Sequence, residues 1–229
     1  MELELDTETE MSTSQSERKF RDRLRIAIIL YTFSEPLSPQ QGDRIAVFRT
    51  EIRIQAIDFL LRYPDFFAHE LINLLNEGAL IDENEVRLTV KTIFSDREPE
   101  LRVEEMEKFF HGAYESIDDV IAYLMSIDFI QYESKKRTDG KEYDKLYFLT
   151  TYGSNKIEQN LKQIPAVNWY FERCRLIKHY LGSLSGSELK TRQYRFVDEY
   201  ATIAYKSKIS QLHKKVEDAF RTRFKEELV

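Results

Sequence analysis

Five cations, Lys135, Lys136, Arg137, Lys141 and Lys145, surround the dipeptide Asp139-Gly140 in a stretch otherwise rich in aromatic and aliphatic residues. Ammonium and guanidinium groups gathered on a projecting turn suit the phosphate backbone of nucleic acid, where contacts position a protein without reading bases. Asp139, Glu142 and Asp144 lie among them and dilute the charge. Asp118, Asp119 and Asp128 precede the cluster where base reading would call for Arg, Asn or Gln, so the stretch reads as a backbone-touching element.

Catalytic chemistry has no comparable candidate. His69, His111, His179 and His213 are far apart in sequence and form no His-Glu-x-x-His pair; His69-Glu70 reads as a pair on a helix surface. The seven glycines never fall into a phosphate-binding loop. Asp58, Asp65, Glu98, Glu100, Asp118 and Asp119 are numerous enough for a metal-dependent nuclease. Helix caps and salt bridges account for most of them, however, and no lysine accompanies them in a nuclease-like arrangement. The single cysteine, Cys174, excludes an internal disulfide and a thiolate-rich metal site, and is expected to be a buried small hydrophobe. The chain is therefore expected not to be an enzyme and to carry no metal or cofactor.

The basic cluster needs a hairpin to present it and a helix to hold that hairpin. Ser116 precedes Asp118 and Asp119 as an N-cap with acids in the first turn, and Val120, Ile121, Leu124, Met125 and Ile127 recur at helical spacing. Phe129, Ile130 and Tyr132 favour a strand, Asp139-Gly140 a tight turn, and Tyr143, Leu146, Phe148 and Leu149 the returning strand, with Thr150 or Thr151 capping a further helix. Helix, strand, turn, strand, helix is the order of the second half of a winged helix, with the wing at about residues 129–149.

The rest of the chain reads as mainly helical. A helix from Phe20 to Phe33 ends at Pro36 and Pro39, a helical region follows from about Asp43 to Tyr63, and Pro64 breaks it. Asp65 is expected to cap a helix that Gly78 ends, and residues 84–94 form another. Residues 101–110 read as one amphipathic helix in preference to a strand entering a helix. After Pro165 a helix spans Val167 to Leu181, Gly182 to Gly186 turn, and Ser187 to Val229 contain neither Pro nor Gly and read as one long helix, broken at most once. Its apolar residues Ile209, Leu212, Val216 and Ala219 alternate at three and four residues as a narrow seam, with Phe220 beside them, suited either to packing on its own domain or to docking a partner.

These elements define an α+β, mainly α fold with a winged-helix core and a helical C-terminal extension. The division is a disordered acidic tail at 1–19, a helical region with the winged helix at 20–164, and the extension at 165–229. The formal charge of −6 is carried by six acids that precede Arg18, and the remainder sums to zero. Bulk charge thus gives no basis for tight nonspecific DNA binding. No apolar run approaches the roughly 18–20 residues of a membrane span, and the acidic start is unlike a secretory leader, so a cytoplasmic location is expected.

Two stretches resemble a known family. Residues 52–75 carry Arg53, Gln55, Asp58, Phe59, Arg62, Tyr63, Pro64 and Asp65; residues 97–130 carry Glu98, Pro99 and Glu100, then Ala122, Tyr123 and Leu124. In that order and spacing they resemble the middle, or accessory, subunit of the ABC three-component and Lamassu-type antiphage systems, over roughly residues 20–161. The loop His111 to Tyr114 is less aromatic than the family's, and the acidic tail has no counterpart.

The resemblance implies a noncatalytic subunit that bridges an SMC-type ABC ATPase and a nuclease or other effector and assists foreign DNA sensing. In such a subunit the wing, Lys135, Lys136, Arg137, Lys141 and Lys145, would touch double-stranded DNA held by the ATPase. The seam Ile209, Leu212, Val216 and Phe220 would bind partners. The alternative is a free-standing winged-helix transcription regulator that dimerises through its last helix.

Overall fold

The computed structural model describes residues 2–106, 108–109, 112–113, 115–140, 142–195, 209 and 211–228. The chain is mixed α+β and mainly helical, in agreement with the expected class. It forms two compact units: Met1–Thr50 with Ser116–Glu172, and Glu51–Glu115 with Arg173–Val229. Each unit is discontinuous, unlike the sequential division at 19/20 and 164/165. Breaks in composition mark chain ends and turns, whereas the units are defined by pairings between segments remote in sequence.

In the first unit, α1 (Glu2–Phe33) buries Leu24, Ile26, Ala27, Ile28, Ile29, Leu30 and Phe33. The helix also takes in the acidic residues expected as a disordered tail. Neither Pro nor Gly interrupts residues 2–33, and a helix nucleated by its buried turns propagates at one hydrogen bond per residue. A hairpin follows: β1 (Glu35–Gln41) and β2 (Arg44–Arg49) join at Gly42, whose φ of +65° suits a residue without a side chain.

This hairpin replaces the first part of the helix expected from Asp43, because Ile45, Val47 and Phe48 suit a pleated, half-buried surface and β2 finds a partner strand. Pro36 and Pro39 are tolerated because β1 is the sheet edge.

After the second unit's first segment the chain returns as α6 (Asp118–Ser126), β5 (Ile130–Lys136), β6 (Glu142–Thr150) and α7 (Thr151–Gln159), in the expected order. The sheet runs β1-β2-β6-β5, antiparallel throughout, with Phe48 opposite Tyr147 and Tyr147 opposite Tyr132. Ala46, Phe48, Tyr147, Leu149 and Ile130 alternate onto one buried face, and α1 packs on α6, α7 and β6. Two 3-10 turns, Leu161–Gln163 and Pro165–Val167, lead into α8 (Asn168–Leu181). There Lys162 Nζ donates to Tyr31 at 2.9 Å and to Glu158 at 2.8 Å, tying α7 to α1.

The second unit contains α2 (Glu51–Arg62), α3 (Pro64–Asn76), α4 (Glu83–Ser95), α5 (Glu98–Leu101), the short strands β3 (Lys108–Phe109) and β4 (Gly112–Ala113), α9 (Gly186–Arg195) and α10 (His213–Phe224). α3 is central, packed on α2, α4 and α10, while α9 lies on α2. Phe59, Tyr63 and Phe66 form an aromatic knot with centroids 4.8–5.6 Å apart.

Two expectations fail here. The helix over 101–110 stops at Leu101, because the carbonyls of Glu104 and Glu105 accept from the Arg62 guanidinium and not from helical amides. Asp65 does not cap α3: Tyr63 occupies that place with Pro64 as the first helical residue, while Asp65 turns inward. The long C-terminal helix, expected to break at most once, is interrupted before His213 and gives α9 and α10 in its described parts; residues 196–208 lie outside the described residues.

Candidate nucleic-acid interface

The hairpin turns near Asp139-Gly140 but one residue earlier than a two-residue turn there requires: Gly140 is at φ +81°, Asp139 is not at positive φ, and the Gly140 N–H donates to the Arg137 carbonyl at 3.0 Å, closing the turn around Thr138 and Asp139. Lys136 and Arg137 are exposed at the tip. Lys135 is exposed but paired, its ammonium 2.6 Å from Asp144 Oδ2, and this carboxylate holds the lysine above its ordinary pKa. Lys145 is half-buried, and its carbonyl accepts from Thr50 N at 3.0 Å. Lys141 lies outside the described residues. Glu142 stands opposite Lys136 and accepts from the Tyr132 hydroxyl at 2.6 Å, which lowers the Glu142 pKa. The four described residues of the strip thus resolve into two solvent-facing tip cations, one cation neutralised by its neighbour and one drawn into the sheet.

A brace absent from the sequence reading supports the hairpin. Arg44 on β2 reaches across β6: Nε donates to Gln131 and Nη1 to Glu133, both at 2.6 Å, and the guanidinium lies 4.2 Å from the centre of the Phe148 ring. Gln131 in turn donates to Asp43 at 2.9 Å. Only the pairing of β2 with β6 brings Arg44 near β5, so its sequence position gives no signal.

The helix before the hairpin offers nothing to phosphate. Ile121 and Leu124 are buried, and the open side carries Asp118, Asp119, Ala122, Tyr123, Met125 and Ser126. Ser116 contributes weakly, accepting from Asp118 N at 3.5 Å, with Ile117 at the cap position.

The residues behind the family resemblance are mostly interior. Arg62, 2 % exposed, faces Asp58 at 3.5 Å and also pairs with Glu115; Gln55 donates to the Glu115 carbonyl at 2.6 Å. The Tyr63 hydroxyl accepts from Met106 N at 2.8 Å, and burial pushes its pKa up. Asp65 accepts from Phe66 N and Leu212 N, yet burial still raises its pKa. Glu98 pairs with buried Arg173, and Arg53 donates to the Gly182 carbonyl at 2.6 Å. These residues hold extended segments onto helices, which is structural work.

The partner-binding seam is interior too. Ile209, Leu212, Val216 and Phe220 are all buried, and α10 packs on α3. The expectation of a docking surface is corrected accordingly: the alternation that marks a helix-helix seam is satisfied within the chain.

Cys174 is buried and free of any disulfide, as expected. Among the described residues no group of His, Cys, Asp and Glu is placed to hold a metal ion, and no helix is long and apolar enough to cross a membrane. Comparison with known protein families, curated proteins and solved structures finds no match to this chain.

Proposed function

We propose that this chain is a noncatalytic accessory subunit of a cytoplasmic antiphage defence complex, bridging an SMC-type ABC ATPase and a nuclease or other effector and assisting foreign DNA sensing. The observation that carries the reading is the sheet of the first unit. α6 leads into the hairpin β5–β6, and β2 adds to the far side of β6, an order that supports reading this unit as a winged helix. Its tip presents Lys136 and Arg137, enough to touch a DNA backbone held by another subunit and too little to bind tightly alone. The acidic open side of α6 argues against base reading by that helix. The resemblance of residues 20–161 to Lamassu-type middle subunits gives the partners their identity.

The test is recovery of the tagged chain from its host at moderate salt, with stoichiometry by native mass and DNA affinity measured alone and in the recovered assembly. Recovery with a large ATPase and an effector, and DNA binding that strengthens in their company, is the expected result. A chain recovered without them that selects one short duplex would instead establish the free-standing regulator.

A further inference from the structure

The ladder between β5 and β6 carries one extra residue. Glu133 stands opposite Leu146 and Lys135 opposite Tyr143, so two steps along β5 meet three along β6, and Asp144 sits in this bulge at φ +53°. Strict alternation would carry Tyr143 to the buried side of the sheet, where Tyr147 and Leu149 lie. The bulge turns it to the other side, opposite Lys135, and there it is 47 % exposed.

The hairpin's other tyrosines are engaged within it: Tyr147 is buried, and the Tyr132 hydroxyl donates to Glu142 at 2.6 Å. Tyr143 is therefore the ring that the hairpin offers to a ligand. Arg137, two positions beyond Lys135 where the chain enters the turn, is exposed. The acids on this side of the ladder, Glu133 and Asp144, already engage Arg44 and Lys135, each at 2.6 Å. Lys136 and Glu142 stand opposite one another on the other side. An exposed ring beside cations suits a ligand that joins a flat π face to a phosphate, as each nucleotide of a single strand does. In a duplex the faces of the bases are covered by their neighbours, and a backbone contact there has no use for the ring.

We propose that Tyr143 stacks on an unpaired base, so that the β5–β6 hairpin takes single-stranded DNA in preference to duplex. The base lies on the phenol ring and its phosphate on Arg137. The inference deepens the proposed DNA contact and rests on it, naming the state of the strand that the hairpin meets. It also adds affinity where two tip cations supply little, since one stacked base is worth about tenfold in binding.

Fluorescence anisotropy tests it, with the full chain at up to about 500 μM in low salt and a labelled thymidine oligomer of about 20 nucleotides or a blunt duplex of that length. The single strand is expected to bind about fivefold or more tighter than the duplex. Tyr143→Leu, at an exposed position, should keep the circular dichroism of the natural chain, weaken the single-strand complex about tenfold and leave the duplex complex within about twofold. Tyr143→Trp should retain the single-strand complex. Photocoupling of an oligomer carrying 5-iododeoxyuridine should map to Tyr143, a signature that a structural role for the ring would not give. Single strand and duplex bound alike, both weakened by Lys136→Ala with Arg137→Ala and neither by Tyr143→Leu, would overturn this inference and leave the hairpin's DNA contact standing. Binding indifferent to all three residues would sink both. No complex with either DNA would also overturn the inference, whereas the accessory-subunit reading asks for contact only within the assembly and keeps its own test.

Discussion

The backbone N–H of Leu212 donates to the buried carboxylate of Asp65, 147 positions earlier in the chain. The bond anchors the start of α10 to α3, and Val216 and Phe220 follow into the same interior at 0 % exposure. Phe220→Ala should cost about 3–5 kcal/mol and Asp65→Ala about 1–3 kcal/mol, the first for a cavity and the second for orphaned polar groups. Chemical denaturation of the full chain measures both. Deletion of α10 should therefore destabilise the second unit, and loss of assembly on truncation would report lost packing before any lost contact with a partner.

Acidity should strengthen that unit through Glu70. Burial pushes this carboxyl up to about 7 from 4.5, against the opposing pull of Arg192. Between those values the folded protein keeps a proton that the unfolded chain has released. The contribution is therefore greatest below pH 4.5 and lost as pH rises through 7. Glu70→Gln, which mimics the protonated form, should flatten the profile. From acid to neutral pH the natural chain should lose on the order of 1–3 kcal/mol relative to this variant in urea denaturation.

Under the proposed DNA contact, the ion pairs rank the cations of the β5–β6 hairpin. Lys136→Ala with Arg137→Ala should lower the salt slope of DNA binding by about 2, close to one unit for each lost phosphate contact. Lys135→Ala should change it less, because Asp144 already engages that ammonium at 2.6 Å. Asp144→Asn should release Lys135 and tighten binding. Titrations of one duplex at several salt concentrations read all three, and a Lys135 effect equal to that of the tip pair would contradict the ranking.

Gly153 is the glycine of α7 that steric contact demands. A Cβ there would lie 2.3 Å from the Phe129 carbonyl oxygen, where α7 passes the chain entering β5. Gly153→Ala should destabilise the first unit by about 1–3 kcal/mol, as overpacking does. A thermal melt followed by tyrosine fluorescence detects it, and an unchanged transition would show that the backbone yields.

The parts of this fold legible in the sequence are those governed by neighbours in the chain. The hairpin at Asp139-Gly140, the cap at Thr150 and the helix before them depend on local turn and capping chemistry, and all three form. What escaped depends on remote partners. Arg44 to Arg49 becomes a strand because β6 receives it, residues 103–106 stay out of the helix because Arg62 takes the carbonyls of Glu104 and Glu105, and the C-terminal seam is buried because α3 covers it. The basic strip was visible as composition, but its division between tip and ion pair depends on which carboxylate faces which ammonium across the ladder.

The interleaving of the two units also sets an order for synthesis. β2 leaves the ribosome long before β6, the strand that pairs with it, and α3 long before α10. The first unit's sheet must wait with β2 paired only to β1 until residues 142–150 emerge, and the second unit's core stays open until residues 213–224 emerge to cover α3. Until those segments emerge a nascent chain of this kind exposes a strand edge and an apolar helix face, the kinds of surface from which aggregation starts.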